Sequence, residues 1–446
     1  MNELLKLTLS GAIGGAIGGL AAASNKQHIS VNEFHELRSH SYIIFKDTTY
    51  TYAQNGLNGN IDFRSLDSTD VILFAIEITE FNGGGTIFIK SGIYNLTRSL
   101  HTGSNISLIG ENFGSTIFKM SDFANTKMID DINIQSNISI KNITFDANGL
   151  NQMDGIDRST LVPIRLKQKT NLIIENIMIT NGRTGAGLNF GGVNNAKVIN
   201  CYFINNGTVP GSAFLSDHFY SQNCNDLLVQ GCTFIGCTDV GSAQDFNKNS
   251  RIIGCYFKDC LQAAFTWYHV EGPTTPPENM IVDSCIIDAT DQNTGFYIAK
   301  KALQPLKPSK VIVSNCIIKG GKIGAKVNNC DYIKINNCYI HSQTENSILL
   351  NNSTQCEISG CTIENAPIGI STPVVSDATI QNNKFINITT KISNTNNVNM
   401  IIRDNWGKSP YNWGNLSSPP TPFGEGDEYY DTTLKLKKYY NGNVWL

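Results

Sequence analysis

The chain carries little charge, and the charges it has are nearly balanced. Only 16% of its 446 residues are charged, and the net charge is −3. A broad nucleic-acid-binding surface needs an excess of basic residues, so we expect no nucleic-acid partner. Metal ligands are scarce as well, because the seven histidines are scattered and no C-x-x-C pair occurs. The sequence therefore predicts neither a metal site nor a cofactor.

Proline is also sparse, with 13 residues that fall mostly in a few loops. Asparagine, serine, threonine, glycine and isoleucine are plentiful instead. This combination is typical of a β-rich protein with many tight turns.

Seven of the twelve cysteines recur at near-regular spacing, and each is followed two residues later by Phe or Ile. The intervals between them are 31, 23, 30, 31, 22 and 23 residues. A base period with occasional insertions is typical of a solenoid whose coils differ in loop length. The seven are Cys201, Cys232, Cys255, Cys285, Cys316, Cys338 and Cys361.

The cysteines are better explained as thiols than as disulfides. Residues at equivalent solenoid positions stack about 4.8 Å apart and point the same way, which suits a disulfide torsion poorly. We therefore interpret them as buried thiols that act as small apolar residues. Thiols of this kind fit assembly in a reducing compartment.

The repeat continues beyond the cysteines and then gives way to a different pattern. Phrases such as NISIKNITF (137–145) and ATIQNNKFI (378–386) repeat it on both sides, and we expect about twelve coils. Near the start, residues 68–80 form an amphipathic pattern that predicts a short helix. A helix there would cover the exposed end of the first coil.

The segment that follows this helix carries motifs of a known family. The phrases are Asp67-Ser-Thr-Asp70, Gly83-Gly-Gly-Thr-Ile-Phe-Ile-Lys-Ser-Gly-Ile-Tyr94 and residues 105–117. They resemble the entry to pectate-lyase-like right-handed parallel β-helices, especially those of bacteriophage tailspikes. The resemblance covers about residues 60–405. It implies an all-β fold: a right-handed parallel β-helix over 61–416, with an N-terminal capping helix and a small C-terminal β-hairpin module.

The two ends of the chain predict separate regions. Residues 1–24 are apolar and rich in glycine, and three interpretations remain open: a signal peptide, a membrane helix, or a close-packed helix for oligomerisation or virion attachment. Residues 25–60 are a connecting region. Residues 417–446 are a stiff linker and a hairpin whose strands, 434–440 and 443–446, flank an Asn441-Gly442 turn. The hairpin is either a binding or trimer-locking element or an end cap.

Alternation along the strands before the cysteines predicts which residues face outward. Three inserted loops, 205–217, 271–279 and 301–309, adjoin the same coils and would wall a groove suited to a polymer. The tyrosines would stack on sugar rings, although outward tyrosines are also ordinary in strands. The predicted substrate-binding residues are Tyr220, Gln222, Tyr268, His269, Tyr297, Arg165 and Lys300.

Four carboxylates are candidates for catalysis. Asp217 and Asp239 are 22 residues apart, nearly one period, which would place them about 5–8 Å apart on adjacent coils. Glycoside hydrolysis needs two carboxyl groups, one of them protonated. Both aspartates could instead accept turn amides. Asp245 and Glu271, with Tyr268 and His269, form a second candidate cluster.

The function predicted by this resemblance and these residues is a tailspike-like virion protein. It would bind and depolymerise a host cell-surface polysaccharide as a homotrimer on the virion surface, joined to other virion proteins through its N-terminus. A hydrolase is favoured over a lyase, because no dense acidic calcium site is visible. Two alternatives stay open: a non-catalytic receptor-binding spike or adhesin, and an exported bacterial polysaccharide lyase or hydrolase.

Overall fold

The computed structural model describes residues 40–153, 161–207, 215–269, 277–289, 294–300, 307–394 and 397–407. It also describes the backbone of 428–431 and 436–439, and Tyr268 and His269 are described by their backbone alone. The chain forms two compact units, Met1–Ser216 and Asp217–Leu446. No helix among these residues is long and apolar enough to cross a lipid bilayer.

The first unit is built of short strands with one α-helix, α1 (Ser68–Phe81), and a 3-10 turn at Gly149–Asn151. Its strands are β1 (Tyr42–Lys46), β2 (Thr51–Asn55), β3 (Ile61–Ser65), β4 (Gly85–Ile89), β5 (Gly92–Leu96), β6 (Ile106–Gly110), β7 (Thr116–Met120), β8 (Ile129–Asp131), β9 (Gln135–Lys141), β10 (Thr144–Asp146), β11 (Ile164–Lys167), β12 (Lys169–Glu175), β13 (Met178–Thr180), β14 (Gly185–Gly191), β15 (Asn194–Ile199) and β16 (Tyr202–Ile204).

Helix α1 has clear start and stop signals. Asp67 is its N-cap, and the side chain accepts a 2.8 Å hydrogen bond from the Thr69 backbone N–H. Val71, Ile72 and Ala75 are buried at helical spacing on the side that packs against the strands. The helix ends before Gly83, whose φ of 92° is the left-handed conformation that glycine adopts without strain.

Two strands lie in the region that the sequence left as a connection. β1 and β2 pair antiparallel, with Ile44 opposite Ala53. β1 also pairs parallel with β4, where Ile44 is opposite Ile89. The ordered sheet therefore begins at least at Tyr42 instead of at the predicted residue 61.

From β4 onward the first unit consists of parallel stacks. One stack runs β4, β6, β9, β12 and β15, and a second runs β5, β7, β10, β13 and β16. A third contains β8, β11 and β14. Inward residues of successive coils, such as Ile138, Leu172 and Ala196, are buried above one another. Each coil is thus too thin to bury its own core and depends on its neighbours.

Asparagines at one corner of the first unit explain why this residue is so common. Asn105, Asn137, Asn171 and Asn195 all have φ between 53° and 58°. Each of the last three donates from its amide nitrogen to the preceding asparagine's oxygen, at 2.8–2.9 Å. Asparagine tolerates the left-handed conformation better than most residues, and its amide can donate and accept along the stack.

The Asn171→Ala variant should lose about 2 kcal/mol of stability, because alanine is strained at positive φ and ends both ladder hydrogen bonds. Asn171→Gly removes the same hydrogen bonds but relieves the strain, so it should lose only about half as much. Denaturant unfolding of the three proteins measures the difference. A glycine variant that is less stable than the alanine variant would contradict this explanation of the corner.

The second unit continues with strands of the same kind. They are β17 (Ser216–Gln222), β18 (Asn225–Gln230), β19 (Thr233–Cys237), β20 (Val240–Asp245), β21 (Lys248–Ile253), β22 (Tyr256–Cys260), β23 (Ala263–His269), β24 (Glu278–Asp283), β25 (Ile286–Asp288), β26 (Thr294–Lys300), β27 (Ser309–Ser314), β28 (Ile317–Lys319), β29 (Ile323–Asn328), β30 (Asp331–Asn336), β31 (Tyr339–His341), β32 (Asn346–Thr354), β33 (Glu357–Ser359), β34 (Thr362–Ser376), β35 (Thr379–Gln381), β36 (Lys384–Asn394), β37 (Ile401–Arg403), β38 (Glu428–Asp431) and β39 (Leu436–Tyr439).

Three parallel faces make up the second unit. Face A contains β17, β20, β23, β26, β29 and β32, followed by residues 368–376 of β34. Face B contains β18, β21, β24, β27, β30, β33, β35 and β37. Face C contains β19, β22, β25, β28 and β31, then the first part of β34 and of β36.

All twelve cysteines are buried and none is in a disulfide, so their prediction as buried thiols is confirmed. The regularly spaced ones precede the face C strands; Cys255, for example, lies directly before β22. Its thiol contacts those of Cys232 and Cys285 in the adjoining coils. The ladder fills the corner between faces B and C with small apolar groups.

The described C-terminal strands form a hairpin that differs from the predicted one. β38 and β39 pair antiparallel, with Tyr429 opposite Lys438. β39 lies within the predicted strand 434–440, but its partner precedes it in the chain. The Asn441-Gly442 turn, residues 1–24 and the linker at 417–422 lie outside the described residues. Tyrosines in β38 supply the β-forming residues that turn statistics overlooked.

Candidate functional site

Outward positions on face A line up in two rows. The first row aligns Tyr220, Ala243, Thr266, Tyr297 and Lys326. The second aligns Gln222, Asp245, Tyr268, Ala299 and Asn328. These are the alignments that counting back from the cysteines predicts, because the strand-to-cysteine distance is nearly constant in these coils. The rows bring together Tyr220, Gln222, Asp245 and Tyr297, and they align the backbone of Tyr268 with Asp245.

Asp245 is the carboxyl group with the clearest chemical potential in the rows. Its residue is only 8% exposed, and burial raises the pKa of its carboxyl from 3.8 to about 6. The Tyr220 hydroxyl donates a 2.8 Å hydrogen bond to Asp245 Oδ2, which opposes part of that rise in pKa. A carboxyl with a pKa near neutral can both give and take a proton, as a general acid or base must.

Removal of the tyrosine hydroxyl should raise this pKa further. In Tyr220→Phe the ionised Asp245 loses its donor while its burial persists, so we expect a pKa above 6, raised by roughly one unit. Tyr297→Phe is the matched control, because the Tyr297 hydroxyl accepts a 3.1 Å hydrogen bond from Asn328. Carboxyl carbon NMR titration measures both. An unchanged pKa in Tyr220→Phe, or an equal rise in the control, would contradict the assignment.

Tyr297 lies in a polar and aromatic part of the first row. The Lys326 ammonium lies 4.7 Å from the centre of its ring, within the range of a cation–π contact. Lys300 is half-buried two coils from Asp245, aligned with His269. The sequence had marked Lys326 and Asn328 as outward residues without assigning them to the site. Their position beside Tyr297 adds a cation and an amide to the candidate sugar-binding strip.

Asp217 and Asp239 are both buried, each 8% exposed. Phe219 is aligned with Ser242, a step of 23 residues, which sets Asp217 opposite Val240. The 22-residue spacing is therefore one short of the true step, and the two aspartates are not equivalent. Asp217 Oδ1 accepts a 3.1 Å hydrogen bond from the Val240 backbone N–H. This is the role of satisfying backbone amides that the sequence had left open.

The remaining predicted site residues do not join the rows. Arg165 belongs to the first unit, where its guanidinium donates to Asp130 at 2.6 and 2.9 Å. This bidentate ion pair satisfies the charge that was expected to bind substrate. Glu271 lies outside the described residues, as do the side chains of Tyr268 and His269 and most of the three inserted loops.

A buried group of three side chains was missed from the sequence. Ligand atoms of His218, Cys237 and Cys260 lie within 4.8 Å of one another. The three residues come from β17, β19 and β22, at separations of 19 and 23 residues that match no short metal motif. Only the coil register, applied to histidine as well as to cysteine, would have brought them together.

Comparison with known proteins supports the fold in which these residues lie. The family model described as "Right handed beta helix region" matches residues 132–303 and 276–407, together more than half of the chain. No curated protein sequence was found to be related.

Several solved structures are similar in fold at low sequence identity. One is the A-module of the mannuronan C-5 epimerase AlgE6 of Azotobacter vinelandii, with a TM-score of 0.60, 15% identity, and coverage of 77% of this chain and 96% of that one. Another is the surface adhesin PfbA of Streptococcus pneumoniae, with 0.59, 16%, 85% and 96% for the same quantities.

A third is a mutant tailspike protein of the E. coli bacteriophage HK620 in complex with a hexasaccharide, with 0.52, 16%, 85% and 72%. At this identity the three structures show the fold alone. With the family match over residues 132–407 and the parallel coils of both units, the chain belongs to the right-handed β-helix family, the family to which its entry motifs pointed.

Proposed function

We propose that this chain is a tailspike-like virion protein that binds and depolymerises a host cell-surface polysaccharide on face A. The observation that carries the proposal is Asp245, a buried carboxyl of pKa about 6 set among outward tyrosines. A row of tyrosines, amides and lysines along parallel strands suits an extended, hydroxyl-rich polymer. The tailspike structure in complex with a hexasaccharide is similar in fold and supports the same reading.

In this proposal Asp245 donates the proton that the leaving glycosidic oxygen needs. The Tyr220 hydroxyl holds its carboxyl in one orientation. Tyr268 and Tyr297 provide stacking surfaces for sugar rings, and Gln222, His269 and Lys300 provide hydrogen bonds. Hydrolysis also needs a second carboxylate as base or nucleophile, for which Asp239, Glu271 and Asp217 are the candidates. Asp217 is the weakest of them, because it already accepts the Val240 amide.

A second candidate function is a receptor-binding spike or adhesin without catalysis. It is favoured by the engagement of Asp217 with a backbone amide, which leaves Asp245 without an identified catalytic partner. The surface adhesin PfbA is similar in fold. An exported bacterial polysaccharide lyase or hydrolase is a third reading, in line with the fold similarity to an epimerase module.

The assembly belongs to the proposal as well. We place the chain as a homotrimer on the virion surface, with residues 1–24 joining other virion proteins or contacting a membrane. We assign α1 to covering the end of about twelve coils, because its buried face packs on the first strands. Light scattering of the full chain tests the trimer, and a monomer would contradict it.

A panel of host surface polysaccharides tests the activity. New reducing ends would show hydrolysis, and ultraviolet absorbance from a new unsaturated bond would show elimination. Binding with neither product would move the conclusion to the receptor-binding spike. Failure to bind any host glycan would contradict both functions.

A further inference from the structure

Three potential metal ligands converge in the interior of the second unit. The imidazole of His218 and the thiols of Cys237 and Cys260 have ligand atoms within 4.8 Å of one another. His218 is 0% exposed and both cysteines are 2% exposed. The Cys237 thiol contacts both of the other two side chains.

The coil register explains why the three side chains meet. Cys237 and Cys260 are aligned at the ends of β19 and β22. His218 occupies the position that Gly241 takes in the next coil, one residue before the aligned pair Phe219 and Ser242. Side chains at that position point toward this corner, because a Cβ on Gly241 would lie 3.1 Å from Cys260 Sγ.

Gly241 also leaves space beside the cluster. Its Cβ would come within 2.8 Å of Phe257 and 2.5 Å of the Ala264 carbonyl oxygen. Its φ lies outside the left-handed range, so the backbone does not demand glycine there. Close packing of the corner demands it instead. The His218 ring, whose centre is 6.2 Å from that of Phe234, fills the equivalent volume one coil earlier.

We propose that His218, Cys237 and Cys260 bind one Zn²⁺ ion. Two thiolates and an imidazole are ligands that zinc prefers, and three protein ligands leave one tetrahedral position open. Zinc bonds of about 2.3 Å to sulfur and 2.0 Å to nitrogen place tetrahedral ligand atoms roughly 3.5–3.8 Å apart. The present atoms, within 4.8 Å, reach that geometry by small side-chain rotations.

Charge favours a divalent ion over a monovalent one. Burial raises the pKa of the Cys237 thiol well above its ordinary value, so a thiolate there needs a compensating cation. Two thiolates with one Zn²⁺ form a neutral group, whereas a monovalent ion would leave one negative charge buried. On binding, each thiol releases its proton to solvent and no electron is transferred. The ion would tie β17 to β19 and β22, and so would hold the strand that carries Tyr220.

The experiment uses the full chain, stripped with a chelator and then dialysed against Zn²⁺ or Co²⁺. We expect about one Zn²⁺ per chain, and a Co²⁺ form with thiolate-to-metal charge-transfer absorption. Cys260→Ala and His218→Asn should each lower metal content by at least about tenfold. The matched control is Cys255→Ala, an equally buried cysteine of the ladder, which should keep the ion.

Several results would overturn the site. These are a wild-type chain that keeps no zinc, a Co²⁺ form without charge-transfer absorption, and equal loss of metal in Cys255→Ala. If the ligand variants fail to fold, X-ray absorption of the zinc-loaded wild type decides. Two sulfur ligands and at least one nitrogen support the proposal, and any other sulfur count contradicts it.

Discussion

The Asp245→Asn variant should release products from the host polysaccharide at least about a hundred times more slowly than the wild type, while binding it with similar affinity. General acid–base groups contribute about 10²–10⁴-fold to rate, and asparagine keeps the shape of the side chain without a transferable proton. Reducing-end assays and glycan affinities measure the two effects separately. Asp283→Asn is the matched control, because Asp283 lies on face B, where it accepts from Ser314 at 2.6 Å.

The same variant should be more stable than the wild type above neutral pH. The pKa of Asp245 is raised to about 6 in the folded chain, so its contribution to stability is fully present below pH 4. That contribution is lost as pH rises through 6. Asparagine resembles the protonated form, so the two proteins should be equally stable near pH 4. Near pH 8 the variant should be about 3 kcal/mol more stable.

Denaturant unfolding at the two pH values measures this difference. A variant that is less stable than the wild type at pH 8 would show that the carboxylate is not held in a destabilising environment. A stable but inactive variant would instead be typical of a site where function costs stability. The activity result and the stability result therefore test the same residue independently.

Lys169→Met should destabilise the first unit by about 3–5 kcal/mol, the cost of leaving one charge of a buried pair without its partner. Lys169 and Asp131 form a 2.9 Å ion pair in which both side chains are 0% exposed. Asp131 also accepts from the Thr102 backbone N–H and hydroxyl, both at 2.7 Å. Methionine fills a similar volume, so the loss comes from the unpaired carboxylate and not from a cavity.

The pH dependence of the two proteins should have opposite sign. In the wild type, burial raises the pKa of Asp131, but hydrogen bonds from Lys169 and Thr102 outweigh it and lower the pKa overall. That contribution to stability is present above the unfolded pKa of about 4 and is lost as pH falls through the lower folded value. Without Lys169 we expect the Asp131 pKa to rise, so the variant loses stability as pH rises.

The double variant Lys169→Met with Asp131→Asn is the control. Removal of both charges should restore most of the stability, because no charge is then left buried. Denaturant unfolding between pH 4 and pH 8 measures all three proteins. A single variant within 1 kcal/mol of the wild type, or a double variant no better than the single one, would contradict this view of the pair.

The fold was predictable because each coil repeats one local rule. Cysteines and β-branched residues at a fixed period set the register, and the aligned rows from Tyr220 to Lys326 follow from it. The extra strands β1 and β2 were not predicted, because their antiparallel pairing lies outside the repeat. The hairpin partner β38 escaped for the same reason.

The candidate site was less predictable, because it depends on which partner each polar side chain finds. Outward position alone made Arg165 a substrate ligand, but Asp130 on the adjoining strand pairs with it. A one-residue error in the coil step made Asp217 and Asp239 equivalent when they are not. His218 was missed because it lies at an outward parity yet is buried at a corner.

Hydroxyl-radical footprinting with a bound host polysaccharide tests the central claim most directly, because it locates the glycan whether or not the chain cuts it. The account predicts protection of Tyr220 and Tyr297 on face A, and unchanged oxidation of the exposed tyrosines Tyr332 on face B and Tyr339 on face C. Protection of Tyr332 or Tyr339, with Tyr220 and Tyr297 oxidised as in the unbound chain, would contradict it.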